Sequence, residues 1–389
     1  MMQLMQPRIY LDYAASTPLD SRVASAMREV EALSGNPSSV HAEGRALRAA
    51  IDKARGQIAR LLDVPDTQVI FTSGATEANA AAIRGVLRAV RAAHSGVTPR
   101  ILVSGIEHAS VAGSVRAAEE DGDAAVTMIA TDERGVVAAE AVAAALTPDT
   151  VIVAVQWANN VLGTLQPIAE IGAVVVAERA RRGAGGLPIV FLCDAVQAVR
   201  TEDVRPSNAN IDILTLSAHK LYGPKGVGAM VIAHGTPFAA YAGGGGQESG
   251  FRHGTENAAG IAAFGAAAEV LAAERAVDSD AAQSLRMYLT ERLRASCKEI
   301  SFVGAEGVPS IAFLRHRKLH GDEIAMRLDM DSVAVSAGSA CDSGSRKAPR
   351  VLTYVLDEQS ALRGGIRVSF GRGSRAEDID RLVAALARM

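Results

Sequence analysis

Six lysines stand among 34 arginines in this chain, and one of them, Lys220, follows an apolar run (211–216) in the order Ser217-Ala218-His219-Lys220. Arginine stays protonated, whereas a desolvated lysine can lose its proton and attack a carbonyl as a Schiff-base nucleophile. The same position also suits an ordinary surface lysine. Other apolar runs end on polar residues too. Ser73-Gly74-Ala75-Thr76-Glu77 follows the run 69–72, Glu107-His108 follows 101–104, Asn159-Asn160 follows 151–155, and Asp194, with Gln197 three residues on, follows 189–192. The small-residue turn at 73–77 opens a helix, and its free N–H groups and the Thr76 hydroxyl suit an anion such as phosphate, or a plain helix cap with Glu77 in the first turn. A single histidine such as His108 serves structure as readily as catalysis. Asp194 comes directly after Phe191-Leu192-Cys193, which predicts burial and therefore a partner for its carboxylate.

The elements that must position these residues are short, continuous, β-branched runs separated by Ala/Arg-rich helical stretches. That pattern predicts a mainly parallel sheet covered by helices on both faces, with the run 228–232 as an antiparallel partner. Ligands bind beyond the carboxyl ends of such strands, and five polar strand ends in one sheet are more than scattered placement gives. Taken together they fit pyridoxal phosphate: Lys220 as the Schiff-base lysine, Asp194 against the pyridinium nitrogen, and Ser217, His219 and Thr76 as a phosphate cradle. After a glycine cluster at 243–246 the texture changes to a long helical stretch from 257 to 275, then to strands such as 310–314 and 366–370 among helices. The expected architecture is α/β, with a large domain at 15–258 and a smaller α+β domain formed by 1–14 plus 259–389.

Composition narrows the function. A chain of 389 residues is too long for one compact core. Its 40 basic and 43 acidic residues leave a net charge of −3, which gives no electrostatic basis for nucleic acid or an acidic membrane as partner. Arg315-His316-Arg317-Lys318 reads as a solvated face. No 18-residue uncharged apolar stretch is present, and residues 1–9 lack an apolar signal core, so the expected location is the cytoplasm. Cys193, Cys297 and Cys341 are odd in number and far apart, which predicts neither a disulfide framework nor a metal site. Neither a P-loop nor a well-placed G-x-G-x-x-G accompanies the glycine cluster, so it is not read as a nucleotide cradle.

Beyond these patterns the chain resembles the NifS/IscS-like cysteine desulfurases, in the class V aminotransferase branch of the fold-type I pyridoxal-phosphate enzymes. The motifs run from Tyr10-Leu11-Asp12-Tyr13-Ala14-Ala15 through Gly35-Asn36-Pro37-Ser38-Ser39, Ser73 to Glu77, Glu107-His108 and Asn159-Asn160. They continue through Asp194 to Gln197, Ser217 to Gly226, Arg252-His253-Gly254-Thr255 and Ile366-Arg367-Val368-Ser369. The most diagnostic is Ser336-Ala337-Gly338-Ser339-Ala340-Cys341. The resemblance implies that Lys220 holds the cofactor and later moves the substrate Cα proton, with His108 over the ring assisting. It implies that Asn160 and Gln197 bond near the cofactor's phenolic oxygen and that Asp194 pairs with the ring nitrogen. Ala75, Thr76, Ser217 and His219 would hold the phosphate. Thr255 would reach the phosphate of a neighbouring subunit, so that a homodimer completes the site. Arg367 would clamp the substrate carboxylate, with Asn36 and Asn160 also on the substrate.

Cys341 would then attack the sulfur of L-cysteine as a thiolate, giving L-alanine and a persulfide on Cys341 for transfer to an acceptor protein. Its segment, about 334–349, resembles the long-loop group of the family, which passes sulfur directly to acceptors for iron–sulfur clusters, other thio-cofactors or tRNA. Asp342 opposes ionisation of Cys341, whereas Arg346 and Lys347 favour it. The alternatives implied by the same scaffold are a selenocysteine lyase, another class V aminotransferase-type enzyme, or a non-catalytic cofactor-binding partner subunit. Cys193 and Cys297 are expected to be structural. The sequence departs from the family pattern at Ala80, where asparagine is frequent and Asn79 stands one residue earlier. It departs again across Thr353 to Asp357, which lacks the usual glycine.

Overall fold

A computed structural model describes residues 8–305, 307–338 and 348–389. Its main layer is a seven-stranded sheet in the order Val69–Thr72, Gly228–Ile232, Ile213–Ser217, Val190–Asp194, Thr150–Ala154, Arg100–Ser104, Ala125–Ile129. All strands run parallel except Gly228–Ile232, which is antiparallel to both its neighbours. The continuous apolar runs are strands buried on both faces. Within Val190–Asp194, Val190 and Leu192 point to the core under helices Ala75–Ala93 and Ala109–Glu120. Phe191 and Cys193 point to the opposite core, under Ala42–Leu62 and Ile168–Arg182. The sheet and its antiparallel partner match the expected α/β class. The sequence reading passes over Ala125–Ile129 because this edge strand is only half covered and lacks a continuous apolar run.

A second layer is the antiparallel sheet Ile366–Ser369, Ile311–His316, Ile300–Val303, packed with helices Gly321–Met330 and Ala376–Leu386 around its own core. The helix expected at 257–275 runs further, over Ala258–Ser296. Its interior holds no proline and is rich in alanine, leucine, glutamate and arginine, so nothing stops it. Its first part, Ala258 to Leu271, joins the core of the large sheet, and Leu289 and Leu293 join the core of the small one. The N-terminal segment ties the layers together. Ile9–Tyr10 pairs in parallel with Val333–Ala334, and the Ala14 N–H donates to Ser369 Oγ at 2.9 Å. Among the described residues no helix is long and apolar enough to cross a membrane.

Candidate active site

The register of the large sheet gathers the polar strand ends. Thr72 and Ser217 both pair with Gly228, and Asp194 pairs with Thr215 one strand over. A cavity of about 860 Å³ opens beyond them. Ala75, Thr76, His108, Asn160, Asp194, Gln197, Ser217, His219, Lys220 and Arg367 all line it. Thr255 does not; it lines a separate cavity of about 80 Å³ beside Ser73 and Arg252. Asn36 is exposed and lines neither, its Oδ1 accepting from the Ser38 N–H at 2.9 Å. Cys341, with Asp342, Arg346 and Lys347, lies outside the described residues.

Lys220 ends a short 3-10 turn, Ala218–Lys220, that follows strand Ile213–Ser217. Its Nζ donates to the carbonyls of Ala14 and Ala15 at 2.5 and 2.8 Å. Gln197 Nε2 donates to the same Ala14 carbonyl at 3.0 Å. The strand-like N-terminal segment therefore works as one wall of the site.

Asp194 is buried, and its bonds come from neutral donors, Asn79 Nδ2 at 2.9 Å and the Val196 N–H at 3.0 Å. Neutral donors soften a buried carboxylate without cancelling its charge, so a cationic ring nitrogen in this cavity is the partner it suits. His108 caps helix Ala109–Glu120, its Nδ1 accepting from the Ser110 N–H at 3.1 Å. Burial, foremost, holds its ring below the usual histidine range; the nearby Asp194 opposes that, while Lys220, Arg350 and Arg367 reinforce it. Its neighbour Glu107 is fully buried, with Oε1 accepting from Ser104 Oγ at 2.5 Å and the Gln156 N–H at 2.8 Å. Burial pushes its carboxyl up to about 8 against these bonds.

At the proposed phosphate turn, helix Ala75–Ala93 starts at Gly74 with no side-chain cap, which leaves its first N–H groups facing the cavity. Glu77 folds back from that first turn. Its Oε2 accepts from the Ser73 N–H at 2.7 Å and its Oε1 from Arg252 Nε at 2.8 Å. Burial would raise this carboxyl, yet the Arg252 and Ser73 bonds hold it at about 2. His219 is lowered to about 4 by burial and by Lys220 and Lys225, so its ring is neutral; Nδ1 lies 3.3 Å from Ser16 Oγ. Arg367 is almost wholly buried. Its guanidinium donates to the Asn160 carbonyl at 2.7 Å and to Asp12 Oδ1 at 2.8 Å, while Nε has no partner among the described residues.

The donor set fits pyridoxal phosphate: a lysine amine, a buried acid hydrogen-bonded by the neutral donors Asn79 and Val196, and an uncapped helix start share one cavity. Several lining or supporting groups had no sequence signal. The carbonyls of Ala14 and Ala15 belong to no side chain, and Asp12 meets Arg367 only through folding. Arg350, which donates to the carbonyls of Gly105 and Glu107, reaches the site from far along the chain. Asn79 and Ser110 carried a faint signal, since Asn79 sits one residue before the position where the family has asparagine, and Ser110 two after His108.

The family model for class-V aminotransferases matches residues 9–382. A cysteine desulfurase IscS of Dictyoglomus turgidum is 35% identical over 99% of this chain and 95% of its own. A putative cysteine desulfurase IscS 1 of Bacillus subtilis is 36% identical over 96% of each chain. Among solved structures, a NifS-like protein superposes with a TM-score of 0.88 at 27% identity, covering 98% of this chain and 99% of its own. SspA in complex with cysteine superposes with a TM-score of 0.78 at 30% identity, covering 93% and 99%. With its family model and its cysteine desulfurase relatives both spanning nearly its whole length, the chain belongs to the class-V aminotransferase family.

Proposed function

We propose that the protein is a pyridoxal-phosphate-dependent cysteine desulfurase, taking sulfur from L-cysteine to leave L-alanine and a persulfide on Cys341. The observation that carries the reading is the convergence of Lys220, His108, Asp194 and Arg367 on one cavity, in a chain that also holds the Ser336 to Cys341 motif. When bound, the cofactor supplies a ring that takes up the electron pair left at the substrate Cα. The chain's own residues do the rest. Arg367, bonded through its terminal nitrogens to Asp12 and to the Asn160 carbonyl, offers its guanidinium to the substrate carboxylate in this cavity, and Asn160 lies beside it. Lys220 Nζ, fixed by two carbonyls, holds the cofactor and then moves the Cα proton. Asp194 keeps its negative charge against the ring nitrogen. Ala75 and Thr76 at the uncapped helix start, with Ser217 and His219, hold the phosphate. Cys341 Sγ takes the substrate sulfur as a thiolate.

A homodimer completes the site in this reading, with Thr255 and Asn36 serving the neighbouring subunit. Supporting this, both are exposed and outside the main cavity, and the apolar side chains of Leu33 and Val40, which flank Asn36, are also exposed. A sulfur-accepting protein then removes the terminal sulfur, for iron–sulfur clusters, another thio-cofactor or tRNA. We place the reaction in the cytoplasm; the buried free thiols of Cys193 and Cys297 are in keeping with a reducing compartment.

The test is release of alanine and sulfide from L-cysteine under a reductant, by wild type and by Cys341→Ser. Equal amounts of both products, lost in the variant, are expected. Alanine formed without Cys341, or none at all, would return the site to a transaminase-type chemistry.

A further inference from the structure

Behind the cavity wall a closed set of buried hydrogen bonds runs between Asp194 and His108. Thr215 Oγ1 donates to Asn79 Oδ1 at 2.8 Å. Asn79 Nδ2 donates both to Asp194 Oδ2 and to Ser110 Oγ, each at 2.9 Å. Ser110 Oγ lies 2.8 Å from His108 Nδ1. Asn79 and Thr215 are wholly buried and Ser110 nearly so, a setting in which an unpaired polar group is costly.

The directions of these bonds follow from the chemistry of the groups. A carboxylate only accepts, so the group that Asn79 turns to Asp194 is its NH2, and the same NH2 donates to the serine oxygen. His108 Nδ1 already accepts the Ser110 backbone N–H and therefore carries no proton. The Ser110 hydroxyl, with its oxygen receiving from Asn79, points its own proton at that nitrogen. Two donors thus converge on Nδ1, and the ring proton is left on Nε2.

We propose that Ser110 and Asn79 are positioning residues that hold His108 as the Nε2–H tautomer and lock that choice to the carboxylate of Asp194. Asp194 anchors the Asn79 amide, the amide orients the hydroxyl, and the hydroxyl occupies Nδ1. His108 then presents a donor to the reacting groups and cannot take a proton without first giving up the Ser110 bonds. The charged groups that act on the ring are Asp194, Lys220, Arg350 and Arg367. Among the described residues Ser110 bonds to none of these directly, and a change there reaches Asp194 only through Asn79.

The test uses holoenzyme with 15N-labelled histidine, His108→Gln serving to assign the resonance. Wild type is expected to show a bare Nδ1 and a protonated Nε2. Ser110→Ala removes one of the two donors to Nδ1, so the ring should take up its second proton at higher pH than in wild type. Ser110→Thr, which keeps the hydroxyl, should restore the wild-type titration. Asn79→Ala, which takes away the donor that orients the Ser110 hydroxyl without adding a charge, should shift the titration in the same direction by less. A Ser110→Ala protein whose His108 titrates as in wild type, or a Ser110→Thr protein that behaves like Ser110→Ala, would overturn the proposal. The activity arm rests on the desulfurase reading: kcat for alanine release should fall about fivefold in Ser110→Ala at unchanged KM, the size expected for one hydrogen bond. Wild-type protein that makes no alanine from L-cysteine would sink that reading, while the histidine titration would still decide the relay.

Discussion

A carboxyl group buried from solvent holds its proton to higher pH, and Glu107 is such a group. Folded, it titrates at about 8, against an ordinary value of 4.5. Between those values the folded chain holds a proton that the unfolded chain releases. The contribution of this group to stability therefore falls as pH rises through that window. Glu107→Gln keeps an oxygen for the Ser104 and Gln156 donors and removes the titration. Its melting temperature should gain on wild type between about pH 5 and about pH 8, read by thermal melts at both. An equal difference at the two pH values would show that Glu107 ionises as an ordinary carboxylate. The sequence marks Glu107-His108 as a polar strand end but says nothing of this neutrality, which comes from burial against Ser104 and Gln156. The same gap separates the legible from the hidden elsewhere. Lys220 and Asp194 can be read from chain order, because each closes an apolar run. Asp12 and the Ala14 and Ala15 carbonyls cannot, because their contacts span about 180 residues or more of chain.

At the scale of elements, the proposed phosphate turn is placed by a close approach of two backbones. Strand Gly228–Ile232 begins against Gly74, and a Cβ on Gly228 would meet both Gly74 Cα and the Leu216 carbonyl oxygen at 2.6 Å. Neither is a flexible side-chain end that could swing away. Gly228→Ala should therefore push the turn at 73–77 outward. The expected outcome is a loss of stability of about 1–3 kcal/mol together with weaker retention of pyridoxal phosphate, measured by thermal melts and by absorbance titration. A variant that binds the cofactor as wild type does would mean that the turn is set elsewhere. The sequence shows strand 228–232 and its antiparallel sense but not this contact. The helix beyond 275 and the edge strand Ala125–Ile129 escaped for local reasons, an alanine-rich run without a stop and a strand with one solvated face. Across Thr353 to Asp357, where the family's glycine is missing, Asp357 caps helix Glu358–Arg363, its Oδ1 accepting from the Ser360 N–H at 2.9 Å. That stretch therefore ends on a helix start.

At the scale of the molecule, we propose that the large layer at 15–258 and the smaller one formed by 1–14 plus 259–389 are distinct domains, with helix Ala258–Ser296 as the strut between them. Arg372 strengthens that joint by pairing with Asp20, Glu274 and Asp278 while lying over the Tyr222 ring. The site is then built from both layers, since Arg367 comes from the small sheet and Lys220 and Asp194 from the large one. Whether it also needs a second chain turns on Thr255. Within one chain its hydroxyl sits outside the main cavity, although Arg252, three residues earlier, is tied to Glu77 in the phosphate turn. Thr255→Ala should weaken cofactor binding about tenfold, the loss of one charge-assisted bond, and Lys220→Ala should abolish turnover. If Thr255 serves the neighbouring subunit, a mixed dimer of the two variants contains one intact site, which joins Lys220 of one chain to Thr255 of the other. Co-expressed and purified on two tags, that dimer should bind pyridoxal phosphate at one site with wild-type affinity and release alanine at about half the wild-type rate, as expected when one of two symmetric sites is whole. If Thr255 serves its own chain, the only site with a lysine lacks its threonine, and the mixed dimer binds the cofactor no better than Thr255→Ala.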